Sequence, residues 1–159
     1  MGKKIGASLE PGDVLACFGE LGGGKTTFLQ GVAQSLGVRE RILSPTFILM
    51  RQYELPFSKR GIERFYHWDW YRIHGEKEAL AAGFNENLLD QKAVVAIEWA
   101  ENALKALPKK RIEVHFEYGE KGDERKIRIK KKVSSIKYYV LCISQGQKEG
   151  SSSFVAGNS

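Results

Sequence analysis

The sequence has no apolar run close to the roughly 18 residues that a transmembrane helix requires, and no apolar stretch follows its basic N-terminus. These absences argue against a membrane partner and a secretory signal, so we predict a cytoplasmic protein. Cysteine is also scarce, with Cys17 and Cys142 the two in 159 residues. They form no cluster of the kind that holds a structural metal. Because Cys17 lies in the apolar run Val14–Phe18, we predict that it is a small buried side chain.

The chain has an excess of positive charge, with a formal net charge of +6. Many of its basic side chains lie close together in the segment Arg125–Lys132. Two interpretations remain open. The segment could contact the phosphates of RNA, or it could be a solvated edge strand whose lysines prevent aggregation. We predict no DNA partner.

Short apolar runs typical of buried strands alternate with segments whose apolar residues have helical spacing. This pattern predicts a single α/β domain with a mixed, largely parallel sheet flanked by helices. We assign residues 1–133 to this domain and residues 134–159, rich in Gly, Ser and Gln, to a C-terminal extension. The extension is predicted to be partly disordered or a degenerate fusion remnant. Besides Val14–Phe18, the predicted strands are 46–53, 62–68, 93–97, Arg111–Tyr118, 126–130 and 138–143. The predicted helices are Lys25–Leu36, 76–82 and 99–107.

The strongest local signal lies between the first strand and the first long helix. Residues 19–26 match the pattern G-x-x-x-x-G-K-[ST], as Gly19-Glu20-Leu21-Gly22-Gly23-Gly24-Lys25-Thr26. Glycines allow backbone N–H groups to converge on phosphate oxygens, and the following helix N-terminus favours anions. Lys25 is predicted to reach the β- and γ-phosphates of ATP, and the Thr26 hydroxyl to bind Mg²⁺.

Two acidic residues are candidates for the chemistry at this loop. Glu98 follows the apolar run 93–97, at the carboxyl end of a predicted central strand, where P-loop proteins hold Mg²⁺. Asp69 lies in the aromatic run 66–72, and spacing alone leaves open a salt bridge with Arg72 or a catalytic role. His67 in the same run is predicted to be a packed or capping residue.

Four motifs occur together in an order and spacing that resemble the TsaE family, also known as YjeE, the P-loop ATPases of bacterial tRNA threonylcarbamoyladenosine (t6A) biosynthesis. The resemblance covers about residues 2–130. The motifs are the loop extended to Thr27, then Ser44-Pro45-Thr46-Phe47, His67-x-Asp69-x-Tyr71-Arg72 and Ile97-Glu98-Trp99.

The resemblance implies a role for each motif. Leu21 to Thr26 would contact ATP, Thr27 would support the loop, and Thr26 with Glu98 would hold Mg²⁺. Thr46 would sense the γ-phosphate, Asp69 would position or activate water, and Trp99 would lie beside the site. The implied partners are TsaB and TsaD, which transfer the threonylcarbamoyl group to tRNA, and slow ATP hydrolysis would reset their complex.

The chain departs from the family pattern at both ends. Family members usually have a strand and a Ser/Thr-bearing turn before the segment that matches residues 1–9, so we expect a translation start upstream of Met1. Residues 140–152 resemble the first hairpin of TsaB, which leaves a decayed fusion or an unrelated tail as alternatives.

Three other functions compete with an ATPase. A small-molecule kinase would need several lid arginines, whereas Arg39, Arg41 and Arg51 are scattered, and a GTP switch would need an Asn-Lys-x-Asp motif that the sequence lacks. A nucleotide-dependent docking module without hydrolysis remains open.

Overall fold

The computed structural model describes residues 1–55, 60–119, 124–132, 139–145 and 155–156, the last two strands and residue 132 by backbone alone. The helices are α1 (Gly2–Ser8), α2 (Lys25–Leu36), α3 (Glu76–Ala81), α4 (Phe84–Leu89) and a 3-10 helix (Ala100–Ala106). The strands are β1 (Val14–Phe18), β2 (Met50–Glu54), β3 (Arg64–Asp69), β4 (Ala93–Glu98), β5 (Arg111–Tyr118), β6 (Arg125–Lys132), β7 (Tyr139–Gln145) and β8 (Val155–Ala156).

The strands form a mixed sheet in the order β2-β3-β4-β1-β5-β6-β7-β8. The four central strands, β3, β4, β1 and β5, are parallel, and the outer strands pair antiparallel. The predicted α/β class with a mixed sheet flanked by helices is confirmed. The parallel centre aligns the carboxyl ends of β1, β3 and β4 at one edge, where ligands bind in open α/β sheets.

Helices α1 and α2 cover one face of the sheet. The face of α2 that carries Phe28, Leu29 and Val32 packs on Leu15 and Cys17 of β1. Burial of each large apolar side chain contributes about 1.5–3 kcal/mol, so this stripe holds α2 firmly against the strand before it. Cys17 is a buried side chain, as predicted, and burial raises the pKa of its thiol.

The other face is covered by α3, α4 and the 3-10 helix over β1, β3 and β4. Trp68 and Trp70 each meet the Phe84 ring of α4 edge to face, with ring centroids 5.6 and 4.8 Å apart. Ile97 of β4 and Ala100 of the 3-10 helix complete this second core. The aromatic run of the sequence is therefore mainly core, as predicted.

Several element boundaries differ from the sequence prediction. The strand predicted at 46–53 begins at Met50, because residues 46–48 form a turn and Leu49 has a positive φ of 63°. Helix α4 was not predicted, and Gly83, expected to end α3, is the N-cap residue of α4. The helix predicted at 99–107 is a 3-10 helix, with a non-helical residue, Ala103, inside it. The spacing of apolar residues in the sequence does not predict such kinks, because contacts with the sheet produce them.

The alternation of apolar and polar residues along β5 favours a strand with one exposed face, but Glu113 on the polar face is buried. Its side chain is 8% exposed, and its Oε1 lies 2.7 Å from Nη2 of Arg111. A paired carboxylate can be buried where a lone one cannot. The predicted boundary at residue 133 and residues 146–154 of the tail lie outside the described residues, so the two-part division stays a prediction.

In the described ranges, no helix is long and apolar enough to cross a membrane.

Candidate functional site

The glycine-rich loop turns tightly between β1 and α2 because its backbone adopts conformations that side chains disfavour. Gly19, Gly22 and Gly24 have φ values of 132°, 74° and 98°. A Cβ atom at Gly19 would lie 2.4 Å from the carbonyl oxygen of Phe116 on β5. Gly24 is the N-cap residue of α2 and has no side chain to cap it. The first N–H groups of a 12-residue helix therefore point into the loop, which is an arrangement suited to an anion.

Lys25 is buried beneath this loop, with 4% of its surface exposed. Its ammonium donates to the carbonyl oxygens of Gly19 and Glu20, the latter at 2.9 Å, and lies 3.6 Å from the centroid of the Trp99 ring. Burial lowers the pKa of the Lys25 ammonium, and nearby Glu101 opposes this shift. The partners of the Lys25 ammonium are thus neutral carbonyl oxygens and an aromatic ring. A phosphate could replace these partners.

Thr26 and Glu98 meet at the carboxyl end of β4, although 72 residues separate them in the sequence. The Thr26 hydroxyl lies 3.0 and 2.8 Å from the two carboxylate oxygens of Glu98. Mg²⁺ prefers oxygen ligands and is commonly held by one or two carboxylates together with phosphate oxygens. The residues present therefore fit a magnesium ion shared with a bound phosphate.

Asp69 lies beside Glu98, because the parallel pairing of β3 and β4 sets the two residues in register. Its Oδ2 accepts hydrogen bonds from the hydroxyls of Ser44 and Thr46, the latter at 2.6 Å, and its Oδ1 accepts from the Tyr71 N–H at 2.8 Å. Of the alternatives that spacing left open, the salt bridge with Arg72 does not form in the described part of the chain.

The cation of Arg72 instead lies 5.3 Å from the centroid of the Phe47 ring. Phe47 itself is 85% exposed. Arg72 and Phe47 therefore contact each other at the rim of the site. The Asp69 carboxylate accepts hydrogen bonds from the hydroxyls of Ser44 and Thr46 instead.

These residues surround one cavity of about 430 Å³. It brings together most of the predicted site residues, including Trp99, and adds Ser44 and Tyr71 to them. Its lining consists of Leu21, Gly22, Gly23, Gly24, Lys25, Thr26, Thr27, Ser44, Thr46, Asp69, Tyr71, Glu98 and Trp99. Gly19 and Glu20 lie outside the lining and hold Lys25 through their carbonyls.

Sequence reasoning missed two contacts that support the loop. The Gly19 N–H donates to Oε1 of Glu101 at 3.1 Å, across 82 residues of sequence. The Tyr118 hydroxyl donates to the Leu21 carbonyl. No local signal identifies Glu101 or Tyr118, because their partners become neighbours through the pairing of distant strands.

His67 was predicted to be a packed or capping residue, and it is fully buried. Its Nε2 also lies 2.8 Å from Oε1 of Glu98. Because a carboxylate only accepts hydrogen bonds, Nε2 donates to it. Its Nδ1 is buried without a hydrogen-bond partner in the part of the chain that the structure describes. The ring therefore orients Glu98 without lining the cavity itself.

Known proteins with the same sequence pattern and fold identify the family. The family model described as "Threonylcarbamoyl adenosine biosynthesis protein TsaE" matches residues 1–127. A relative from Bacillus subtilis (strain 168), named tRNA threonylcarbamoyladenosine biosynthesis protein TsaE, is 38% identical over 79% of this chain and 73% of its own length. A protein of the same name from Nostoc sp. is 34% identical over 79% of this chain and 75% of its own length.

A solved structure agrees with these sequence matches. The crystal structure of Bacillus subtilis YdiB superposes with a TM-score of 0.66 at 32% identity, over 83% of this chain and 76% of that one. The loop, the Thr26–Glu98 pair and the aromatic run with Asp69 all lie within the segment that the family model matches. This chain belongs to the TsaE family of threonylcarbamoyladenosine biosynthesis proteins.

Proposed function

We propose that this protein binds ATP with Mg²⁺ and hydrolyses it slowly, in support of a TsaB–TsaD complex that modifies tRNA with threonylcarbamoyl groups. One observation carries the proposal. The glycine loop, the Thr26–Glu98 pair and the Asp69 carboxylate all line the same cavity. Membership of a family named for t6A biosynthesis supports the pathway, and the cytoplasm is the compartment we propose for it.

The triphosphate would be held by the loop. N–H groups of residues 22–27 would donate to the phosphate oxygens, since the glycine positions leave the backbone open there. Lys25 would exchange the carbonyls of Gly19 and Glu20 for the β- and γ-phosphates. This exchange restores a full negative partner to a buried cation, which favours nucleotide binding energetically.

Thr26 and Glu98 would hold Mg²⁺ between the loop and β4. When bound, the ion would neutralise charge on the β- and γ-phosphate oxygens. The Thr26 hydroxyl already donates toward Glu98, so the two groups need little rearrangement.

Asp69 would accept a hydrogen bond from the attacking water and position it for the γ-phosphate. The hydroxyls of Ser44 and Thr46 already donate hydrogen bonds to Oδ2 of Asp69 in this structure. Water could gain full access to this oxygen only after the 44–46 segment moves, with Thr46 turning toward the γ-phosphate. Slow hydrolysis by the isolated protein follows from this arrangement, and docking of the partners would promote the movement.

The direct test measures ATP hydrolysis by the full chain with Mg²⁺, alone and with a TsaB–TsaD pair. We expect slow hydrolysis alone and clear stimulation by the pair, with GTP competing poorly. Phosphoryl transfer to an added acceptor would favour the kinase alternative. If neither condition gives hydrolysis, and Asp69→Ala and Glu98→Ala still support t6A formation, the protein is a docking module and the proposal fails.

His67 offers a separate prediction about the metal site. We expect His67→Leu to raise the Mg²⁺ concentration needed for half-maximal tightening of nucleotide binding by about 10-fold or more, because Glu98 loses the donor that orients it. His67→Gln retains an amide donor and should restore most of the Mg²⁺ affinity. The measurement is a Mg²⁺ titration of a fluorescent ATP analogue, with thermal melting to verify folding. Wild-type titrations for both variants would show that His67 only fills space.

A further inference from the structure

The positive charge of this protein is concentrated in one part of its sheet. Residues 105–132 contain eleven Lys or Arg residues and five Asp or Glu residues, a net of +6, which equals the net charge of the whole chain. The rest of the chain is balanced, with fourteen residues of each sign. The described residues of this segment form the end of the 3-10 helix and the antiparallel pair β5–β6.

The edge-strand explanation is wrong for most of β6. The strand pairs with β5 along its whole length and, over Arg125–Ile129, with β7 on the other side. Where β6 is paired on both sides it presents no free backbone groups, so it needs no lysines there to prevent edge-to-edge association. Lys126 and Arg128 in this part of the strand therefore require another explanation.

Strand alternation divides the basic segment between the two faces of the sheet. Ile127 and Ile129 are buried in the core beneath α2. Lys126, Arg128 and Lys130 therefore point to the opposite face, since successive side chains alternate. The helices on that side pack over β1, β3 and β4, and no described helix covers β5 or β6 there. The result is a helix-free charged surface.

We call this surface the basic face: Lys126, Arg128 and Lys130 of β6, and the exposed Lys109 and Lys110 that precede β5. Two acidic residues share it and already have basic partners. Glu113 pairs with Arg111, and Glu117 pairs with Arg128. In the described part of the chain, Lys126 and Lys130 have no ion pair. They lie about 13 Å apart along the strand, at the usual rise per residue.

We propose that the basic face binds the phosphate backbone of RNA, and specifically of tRNA. Lysines such as Lys126 and Lys130, which form no ion pair with another described residue, can replace the counterions of a polyanion. The names of the relatives refer to tRNA, which makes RNA the favoured polyanion for this surface. The surface is distinct from the ATP site, so the proposal does not depend on nucleotide hydrolysis.

The face also predicts how RNA is recognised. Base stacking needs exposed aromatic rings. Among the residues that the structure describes, the one ring on this side of β5 and β6 is His115, which is stacked on Phe18 with a centroid distance of 4.6 Å. Recognition should therefore rest on backbone charge and shape, with little dependence on base sequence and a strong dependence on salt.

The test is fluorescence anisotropy of a labelled, unmodified tRNA transcript with the full chain, from about 50 to 200 mM salt. We expect the double variant Lys126→Gln/Lys130→Gln to bind about 10-fold more weakly at the lower salt. The slope of log K against log salt should fall by about one for each lysine removed. The matched control is Lys4→Gln/Lys77→Gln, which removes the same charge from exposed positions on α1 and α3. It should bind tRNA as wild type does.

Three outcomes would overturn the proposal. Wild-type protein could fail to bind tRNA at low salt, both double variants could weaken binding equally, or the basic-face variant could bind with an unchanged salt slope. If tRNA does not bind but the basic-face variant loses stimulation by TsaB–TsaD, the face is a protein interface. Binding of a fluorescent ATP analogue should be the same in all three proteins, which separates this test from that of the ATPase.

Discussion

Glu98→Gln should lower Mg²⁺-dependent ATP hydrolysis by at least about 100-fold, the largest functional effect that we expect from a single substitution. The amide keeps the shape of the side chain but removes the negative charge that would balance the ion beside Thr26. Nucleotide binding measured in a chelator should stay within about threefold of wild type, because in the proposed mode the loop would hold the phosphates through its backbone and Lys25. Steady-state hydrolysis and equilibrium binding of a fluorescent ATP analogue would measure the two effects.

Glu86→Gln is the matched control, since Glu86 is an exposed acid on α4 that does not line the cavity. It should leave both hydrolysis and binding unchanged. If Glu98→Gln hydrolyses ATP at the wild-type rate, Glu98 does not hold the ion and another residue must do so. If binding without Mg²⁺ also collapses, the Thr26–Glu98 contact shapes the loop rather than the metal site.

Gly19→Ala should cause the largest loss of stability in the loop. Its Cβ atom would lie 2.4 Å from the Phe116 carbonyl oxygen, and φ at this position is 132°. Overpacking against backbone and a conformation almost reserved for glycine together should cost about 3 kcal/mol or more of unfolding free energy. At this chain length, the melting temperature should fall by roughly 6 to 12 °C. Thermal unfolding without nucleotide measures this directly.

Gly24→Ala separates crowding from conformation. Gly24 also has a positive φ, 98°, but an added Cβ would meet no atom within 4 Å. This variant should lose only about 1 kcal/mol, the cost of a left-handed conformation for alanine. Equal melting temperatures for the two variants would show that β5 can move away from Gly19 at little cost.

Those parts of the fold that depend on neighbours in the sequence were predicted well. The predicted bounds of β1, α2 and β5 match the structure, and Gly37 ends α2 with a φ of 102°. A buried strand, a glycine loop and an amphipathic helix each leave a signal within about ten residues. The predictions that failed, such as the start of β2 and the absence of α4, concern turns and short helices whose ends are set by packing.

The residues of the site also divide into those that a local sequence pattern predicted and those that only the structure revealed. The loop pattern identified Lys25 and Thr26. The apolar run 93–97 identified Glu98, which follows it, as a candidate. The support that His67 gives to Glu98 and Glu101 gives to Gly19 was not visible, because each contact joins segments that are far apart in the sequence. Whether the basic segment lay at an edge was equally undecidable, since that depends on the pairing of β7.

The sequence by itself determined that this protein has a glycine loop of the pattern G-x-x-x-x-G-K-[ST] and which family it resembles, because those features lie in contiguous residues. Only the tertiary structure decided which carboxylate meets Thr26, which hydroxyls contact Asp69, and which face of β6 carries Lys126 and Lys130. The physical reason is that parallel strands joined by helices align chain segments that are distant in sequence. Their side chains become neighbours only when the whole sheet has formed.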